Sequence, residues 1–330
     1  MPLKVALIYN DPIPDRYGAM GESKAELGVL DEVQAVSNAL QDLKYGYFLI
    51  PLKPPLSKVK RVLQSIKADV VFNLFEGFDG SPETEGQIAE MLTKLKLPFS
   101  GCPAAALSLA LDKARTKKLL SEAGIKTPQF QILTPSNIET FHLTFPSLVK
   151  PVGEDASHGL CEDSVVYNLT ALAKQVERIC ACFGGRALVE EFLNGREFNT
   201  VVMGNKHLTN PAVSEIDYTL PLDKPRILTF SSKWDEGSLY YNNTRVQCPA
   251  QITTAERARI AKLAKAAFRI TGCRGYARAD IREGKPGEFY VLEVNPNPDI
   301  TPGSGAARQA EAAGFTYSQF IDKILRLALK

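Results

Sequence analysis

An α/β fold opening with a doubly wound parallel sheet is what this sequence predicts, and three features of its first hundred residues carry that prediction. Val5–Tyr9 and Val70–Phe72 are continuous apolar runs rather than alternating ones, the pattern of strands buried on both faces of a parallel sheet. Between them Leu30, Val33, Val36, Leu40 and Leu43 recur at spacings of three and four, which makes one face of a helix. Ile88, Met91, Leu92 and Leu95 mark another helix after the second run. A strand–helix–strand–helix order leaves the loops at the strand C-termini open to a ligand.

The later elements follow in order. Pro98 and Gly101-Cys102-Pro103 punctuate the chain and set the first boundary. A helix spans about 104–123 and stops at Gly124, and a later strand ends in Leu148-Val149-Lys150-Pro151. The loop Gly153-Glu154-Asp155-Ala156-Ser157-His158-Gly159 precedes a helix over about 169–182. Two strands flank Gly195, and a long polar stretch covers 214–247. A helix then carries Ile260, Leu263, Ala267 and Phe268, a strand runs over Phe289–Val294, and a last helix passes through Phe320, Ile324 and Leu327. At about 150 residues per domain the length gives about two, so two or three packed units are expected, and the changes of pattern divide the chain into 1–98, 99–187 and 188–330.

Charge and composition remove several function classes. Lys and Arg total 39 against 37 Asp and Glu, a net charge of +2, so a nucleic-acid partner held through phosphate contacts is not expected. No apolar run reaches the roughly 18 residues that span a bilayer, and the first residues do not resemble a secretion signal. Six cysteines in 330 residues are too sparse for a disulfide scaffold. The expectation is a cytoplasmic protein with reduced thiols and no membrane partner.

The familiar nucleotide signatures are missing: there is no G-x-x-x-x-G-K-[ST] loop and no G-x-G-x-x-G after a strand. Three histidines (His142, His158, His207) argue against a histidine-rich metal site or a Ser-His-Asp triad. Chemistry concentrates instead near the C-terminus, in Arg278-Ala279-Asp280 and Leu292-Glu293-Val294-Asn295. Alternate strand residues share a face, so Glu293 and Asn295 point together and Asp280 on a neighbouring strand could join them. A lone Asp–Glu pair would read as a surface ion-pair cluster. An Asn inside a strand, followed by Pro296-Asn297-Pro298-Asp299, favours a hard oxygen site for Mg²⁺ and phosphate oxygens. Arg278 on the same face could meet developing negative charge.

Lys150 ends a strand beside a small-residue loop. It could face solvent, or grip phosphate together with backbone N–H groups. Backbone groups at 191–193 could hold an adenine edge and Glu190 or Glu197 the ribose hydroxyls, though spacing alone does not decide this.

Leu111-Asp112-Lys113-Ala114-Arg115-Thr116-Lys117, Val149-Lys150-Pro151, Val189-Glu190-Glu191-Phe192, Gly195-Arg196-Glu197-Phe198, Cys248-Pro249-Ala250, Tyr276-Ala277-Arg278-Ala279-Asp280 and Leu292-Glu293-Val294-Asn295 follow one another as in D-alanine–D-alanine ligases. The chain resembles that family, whose members are ATP-grasp enzymes, strongly over about 98–330 and weakly before. The resemblance implies an N-terminal doubly wound domain ahead of a central lid domain and a C-terminal ATP-grasp domain with the metal site. Lys113 and Lys150 would contact ATP phosphates, and Glu190, Glu191, Phe192, Leu193 and Glu197 the adenosine. Asp280, Glu293 and Asn295 would hold two Mg²⁺ or Mn²⁺ ions. Lys233 would sit on a mobile loop closing over the γ-phosphate, and Arg278 would stabilise the tetrahedral intermediate. The implied reaction is peptide-bond formation through an acyl phosphate, in the service of peptidoglycan synthesis, by a protein commonly dimeric through its first part.

The departures fall on the amino-acid side. Tyr9-Asn10-Asp11-Pro12 replaces the family's Gly-Gly-x-Ser-x-Glu, whose acid binds an ammonium, leaving Glu26, Asp31 and Glu32 as substitutes. Glu76-Gly77 replaces a His-Gly, and Ala156-Ser157 replaces two adjacent serines, with Ser157 retained near the substrate. Asn297-Pro298-Asp299 stands where the family has a Ser/Thr-x-Pro-Gly turn, and Ser304 is the candidate contact for the second substrate's carboxylate. Three functions fit: a ligase for D-alanine, a ligase for another amino acid or small peptide, and an ATP-binding protein without ligase turnover. The intact lysines and acids argue against the third.

Overall fold

The computed structural model describes residues 3–12, 24–78 and 81–330, with the side chains of 24–27 outside the described set; Glu26 is among these. The first unit is β1 (Lys4–Asn10), α1 (Lys24–Asp42), β2 (Gly46–Leu52), α2 (Leu56–Gln64), β3 (Val70–Leu74) and α3 (Thr84–Lys94). Its three strands are parallel in the order β2-β1-β3. Because β2 and β3 lie on opposite sides of β1, the strand order reverses between β1 and β3, where open α/β sheets form a ligand crevice. Asn10 and Glu76 sit there, and the Glu76 N–H donates to Asn10 Oδ1 at 3.0 Å.

β2 and α2 are absent from the sequence reading, although Tyr47-Phe48-Leu49-Ile50 is a continuous apolar run; in the structure β2 is an edge strand with Tyr47, Leu49 and Pro51 exposed. The apolar face of α1 holds Val33, Val36 and Leu40 as expected and differs at its start: Val29 is buried, whereas Leu30 is 43% exposed.

Two helices, α4 (Ala104–Leu111) and α5 (Lys113–Glu122), occupy the span expected to hold one. Asp112 breaks them with extended backbone angles, and its carboxylate accepts from the Arg115 N–H at 3.0 Å as the cap of α5. This break turns the α5 N-terminus, and Lys113 with it, toward Val152, whose carbonyl accepts from the Lys113 N–H.

The second sheet is antiparallel, in the order β4-β7-β5-β6, built from β4 (Phe130–Leu133), β5 (Ser147–Pro151), β6 (Val165–Val166) and β7 (Ala187–Glu191), and covered by α6 (Leu169–Cys182). The third comprises β8 (Glu197–Gly204), β9 (Ser214–Tyr218), α7 (Ser231–Trp234), α8 (Leu239–Asn242), β10 (Thr244–Gln247), α9 (Thr254–Ile270), β11 (Gly275–Glu283) and β12 (Phe289–Asn295). Its strand order is β10-β9-β8-β11-β12, all antiparallel. The turn from β7 to β8 needs Gly195, since a Cβ there would lie 2.2 Å from the Glu283 carbonyl oxygen.

α10 (Gly305–Ala312) and α11 (Tyr317–Ala328) end the chain. α11 does not stay with the third sheet alone: Phe320, Ile321, Ile324 and Leu325 share a buried cluster with Val5, Leu7, Val70 and Phe72 of the first sheet. The Tyr45 hydroxyl donates to Asp322 at 2.6 Å and fixes the same contact. α1 and α11 therefore cover one face of the first sheet and α2 and α3 the other. All six cysteines are free thiols, and no helix among the described residues is long and apolar enough to cross a membrane.

Candidate active site

One cleft of about 1220 Å³ runs between the three sheets and is lined by residues of each. Its chemistry is built at the ends of β5, β7, β11 and β12. Antiparallel pairing sets Asp280 directly opposite Glu293 and Arg278 opposite Asn295, so the four side chains share the cleft face. The predicted grouping of Asp280, Glu293 and Asn295 is thus the register of one strand pair.

Glu293 is the electrostatic centre. Burial alone would raise its pKa, but Lys113, Lys150, Arg278 and Lys233 outweigh that and bring it down to about 2. Asp280 has the opposite balance. Burial, with Glu293 adding, raises its pKa despite Arg278. Arg278 donates from Nε to Asp280 Oδ1 at 2.7 Å and from Nη2 to Oδ2 at 2.8 Å, a bidentate pair. Among the described residues no three His, Cys, Asp or Glu side chains gather as a metal site. The donor set is two carboxylates and the Asn295 amide oxygen, hard oxygens suited to Mg²⁺. It fits such an ion once Asp280 turns an oxygen from Arg278.

The lysines come from three places. Lys113, at the start of α5, pairs with Asp155 at 3.0 Å and also donates to the Glu154 carbonyl. Burial lowers its pKa, but Asp155 and Glu293 more than compensate, so it stays charged. Lys150 closes β5 and lies 2.8 Å from Glu190 Oε1. Lys233 is carried by α7, and lost hydration, with Arg278 second, holds its pKa below the ordinary value although the residue keeps an exposed edge. Its segment is docked on the central loop: the Phe230 N–H donates to the Leu160 carbonyl at 3.0 Å, and the Phe230 ring lies between those of His158 and Trp234.

Glu190 does something the sequence did not show. Its second oxygen lies 2.9 Å from Lys117, and both side chains are almost wholly buried. Both oxygens face lysines, which leaves Glu190 unsuited to a ribose and makes it the anchor of Lys150. Burial lowers the Lys117 pKa to about 8 even with Glu190 beside it. Lys117 was overlooked as a site residue, yet its position four residues after Lys113 on one helix was the available signal.

Glu197 Oε2 accepts from the Tyr218 hydroxyl at 2.7 Å and from Arg282 Nη1 at 2.6 Å. Arg282, also overlooked, is buried and stacks over Phe192. The Glu191 and Phe192 N–H groups donate to the Gln129 and Pro146 carbonyls, so an adenine edge at 191–193 would meet carbonyls and the Leu193 N–H. Leu193 and Glu197 line the same cleft.

Ser157 lines the cleft with a positive φ of 66°. Ser304 also lines it, and its hydroxyl caps α10 while donating to the Asp299 carbonyl at 2.9 Å. Asp299 Oδ1 accepts from the Thr301 N–H at 2.7 Å. Of the candidate ammonium-binding acids, Glu32 is buried and accepts from the Ile300 N–H at 2.9 Å, and Asp31 lines the cleft.

The model of the D-ala D-ala ligase C-terminus matches residues 119–326. This chain belongs to the D-alanine–D-alanine ligase family. A D-alanine–D-alanine ligase of Haemophilus influenzae is 31% identical over 94% of this chain and 99% of its own length. The D-alanine–D-alanine ligase of Bacillus anthracis, solved in complex with ATP, superposes with a TM-score of 0.75 at 21% identity, covering 100% of this chain and 97% of that one. The VanG D-Ala:D-Ser ligase of Enterococcus faecalis superposes with a TM-score of 0.76 at 23% identity, covering 99% and 100%. The fold is ATP-grasp with an N-terminal doubly wound unit, and the chain is an ATP-dependent, ADP-forming ligase that makes C–N bonds.

Proposed function

We propose that this ligase joins two amino acids, activating the carboxylate of one as an acyl phosphate and passing the acyl group to the amine of the other. The observation that carries the reading is the ring of Lys113, Lys150, Lys233 and Arg278 around Glu293 in one cleft. Four cations around a buried acid are what charge moving from ATP to a carboxylate requires.

In the first step a carboxylate oxygen attacks the γ-phosphorus and ADP leaves. Lys113 and Lys150 hold phosphate oxygens, and Lys233, docked on the central loop, closes the cleft against water. In the second step the amine attacks the acyl carbon, its proton is lost, and phosphate leaves. Arg278 meets the oxygen on which negative charge collects. Asp280, Glu293 and Asn295 hold two Mg²⁺ or Mn²⁺ ions, whose bound charge supplies neutralisation of the phosphates. Glu191, Phe192, Leu193 and Glu197 hold adenosine, and Ser157, Asp299 and Ser304 face the amino-acid substrates.

The proposal divides the chain into working units 1–98, 99–187 and 188–330. It places the protein in the cytoplasm as a homodimer serving peptidoglycan synthesis. D-Alanine, named in the relatives, is the first substrate to try. ADP release with ATP and Mg²⁺ is measured against single and paired D- and L-amino acids, with product masses read by mass spectrometry. Amino-acid-dependent ADP release with a dipeptide mass is expected. ATP binding with no ADP release from any pair would overturn the reading.

A further inference from the structure

The cleft is charged oppositely at its two ends. Away from the phosphate lysines, where β1 and β3 finish, Glu32, Glu76, Glu85 and Asp299 line the same cavity. These acids come from four places in the chain: α1, the turn after β3, α3, and the loop after β12. Glu85 Oε1 is closed off from solvent and meets no hydrogen-bond donor among the described residues. Buried carboxyl oxygens almost always have a donor, so an orphaned one facing a ligand cleft points to a group that arrives with the ligand.

The surroundings make the demand specific. Among the described residues no cation lowers Glu32, Glu76 or Glu85. Lost hydration, with neighbouring carboxylates adding, raises Glu76 to about 7 although the residue keeps an exposed edge, raises Glu85 to about 8 against a hydrogen bond from the Asn297 side chain, and lifts Glu32 well above the usual range. Asp299 adds to the repulsion on Glu32 and Glu76. Among the described residues no three of these acids gather as a metal site. Glu76 acts on Glu32 and Glu85, and Asp299 on Glu32 and Glu76, so the four carboxyls lining this end of the cavity suit an organic cation. An ordinary amino acid brings one ammonium, for which one carboxylate suffices. Two of these four acidic positions also depart from what the family would lead one to expect: Glu76 stands in place of a histidine, and Glu32 was only a substitute acid.

We propose that this end of the cleft receives the positively charged side chain of an amino-acid substrate, so that one of the two substrates is a basic amino acid, with Glu85 and Glu76 as its specificity-determining residues. The inference rests on the ligase reading above and narrows its substrate class.

The test is ADP release and product mass with D- and L-lysine, ornithine and arginine, each compared with a neutral isostere: norleucine for lysine, citrulline for arginine. Native enzyme, Glu85→Gln and Glu76→Gln are compared at pH 8. At least one basic amino acid should exceed its isostere at least tenfold in kcat/KM. Glu85→Gln should cut that ratio at least tenfold, through KM, and Glu76→Gln, at the open mouth, should lower it in the same direction. Isosteres used as well as the basic amino acids, or a ratio unmoved in both variants, would overturn the inference while leaving the ligase intact. If no amino acid releases ADP, the ligase reading fails and calorimetric binding to enzyme holding a non-hydrolysable ATP analogue decides. Tighter binding of basic amino acids than of isosteres, weakened in Glu85→Gln, sustains the inference; equal binding, or none, overturns it.

Discussion

Lys117 and Lys150 share one buried carboxylate, that of Glu190, at 2.9 and 2.8 Å. Lys150 lines the cleft and Lys117 does not, so the inner lysine and Glu190 together set where the outer ammonium stands. Glu190→Gln removes the charge and leaves two lysines facing each other without it. Breaking a buried pair by removing one partner costs about 3–5 kcal/mol. The variant should lose stability of that order in urea melts and raise KM for ATP about tenfold or more. A variant with native ATP affinity would show that Lys150 positions itself.

Asp280 gives both oxygens to Arg278. On the proposed reading it must also serve a metal ion, so removing its charge should hurt only metal-dependent chemistry. Asp280→Asn is expected to slow Mg²⁺-dependent ADP release by about 100-fold or more, with metal-free nucleotide affinity changed less than about threefold. Fluorescence titration with and without Mg²⁺ measures both. Equal losses in the two titrations would leave Asp280 as no more than the partner of Arg278.

Glu85 controls a pH dependence of stability. Burial, then Asp155 and Glu76, raise its pKa to about 8, whereas in the unfolded chain it titrates near about 4.3. Between those values the folded state keeps a proton that the unfolded state has lost, so this residue removes stability as pH rises through that window. Glu85→Gln should therefore melt about 2–5 °C above the native protein at pH 8–9, with the gap closing near pH 4. Ligand-free calorimetry at the two pH values checks it. A lower melting point at pH 8 would mean the fold needs this charge.

Ile324 lies fully buried against the first sheet, far along the chain from it. Ile324→Ala should cost about 2–5 kcal/mol. Its hydrogen-exchange signature should be faster exchange in β1 and β3 as well as in α11. Protection loss confined to α11 would show that the helix is dispensable to the first sheet.

What was legible in the sequence is what short-range pattern encodes. Val5–Tyr9 and Val70–Phe72 announced buried strands because a parallel sheet covered on both faces needs continuous apolar runs. β2 was missed although Tyr47-Phe48-Leu49-Ile50 is also apolar throughout, and its half-open edge position is a property of the fold that the run does not carry. The break at Asp112 was missed for a related reason: its neighbours read as helix on both sides, and only the cap contact to Arg115 turns the chain.

The same division runs through the site. By themselves, the residues determined that an acid, an acid and an amide would share one face, since alternation in a strand is local geometry. The sequence likewise determined the family, through ordered motifs from Lys113 to Asn295. Only the tertiary structure decided that Glu190 belongs to two lysines, that Arg278 holds Asp280, and that Glu32, Glu76 and Glu85 line one cleft. The physical reason is that charge interactions depend on distance and lost hydration. Both are settled by how separate segments pack, and neither is written in the spacing of residues along the chain.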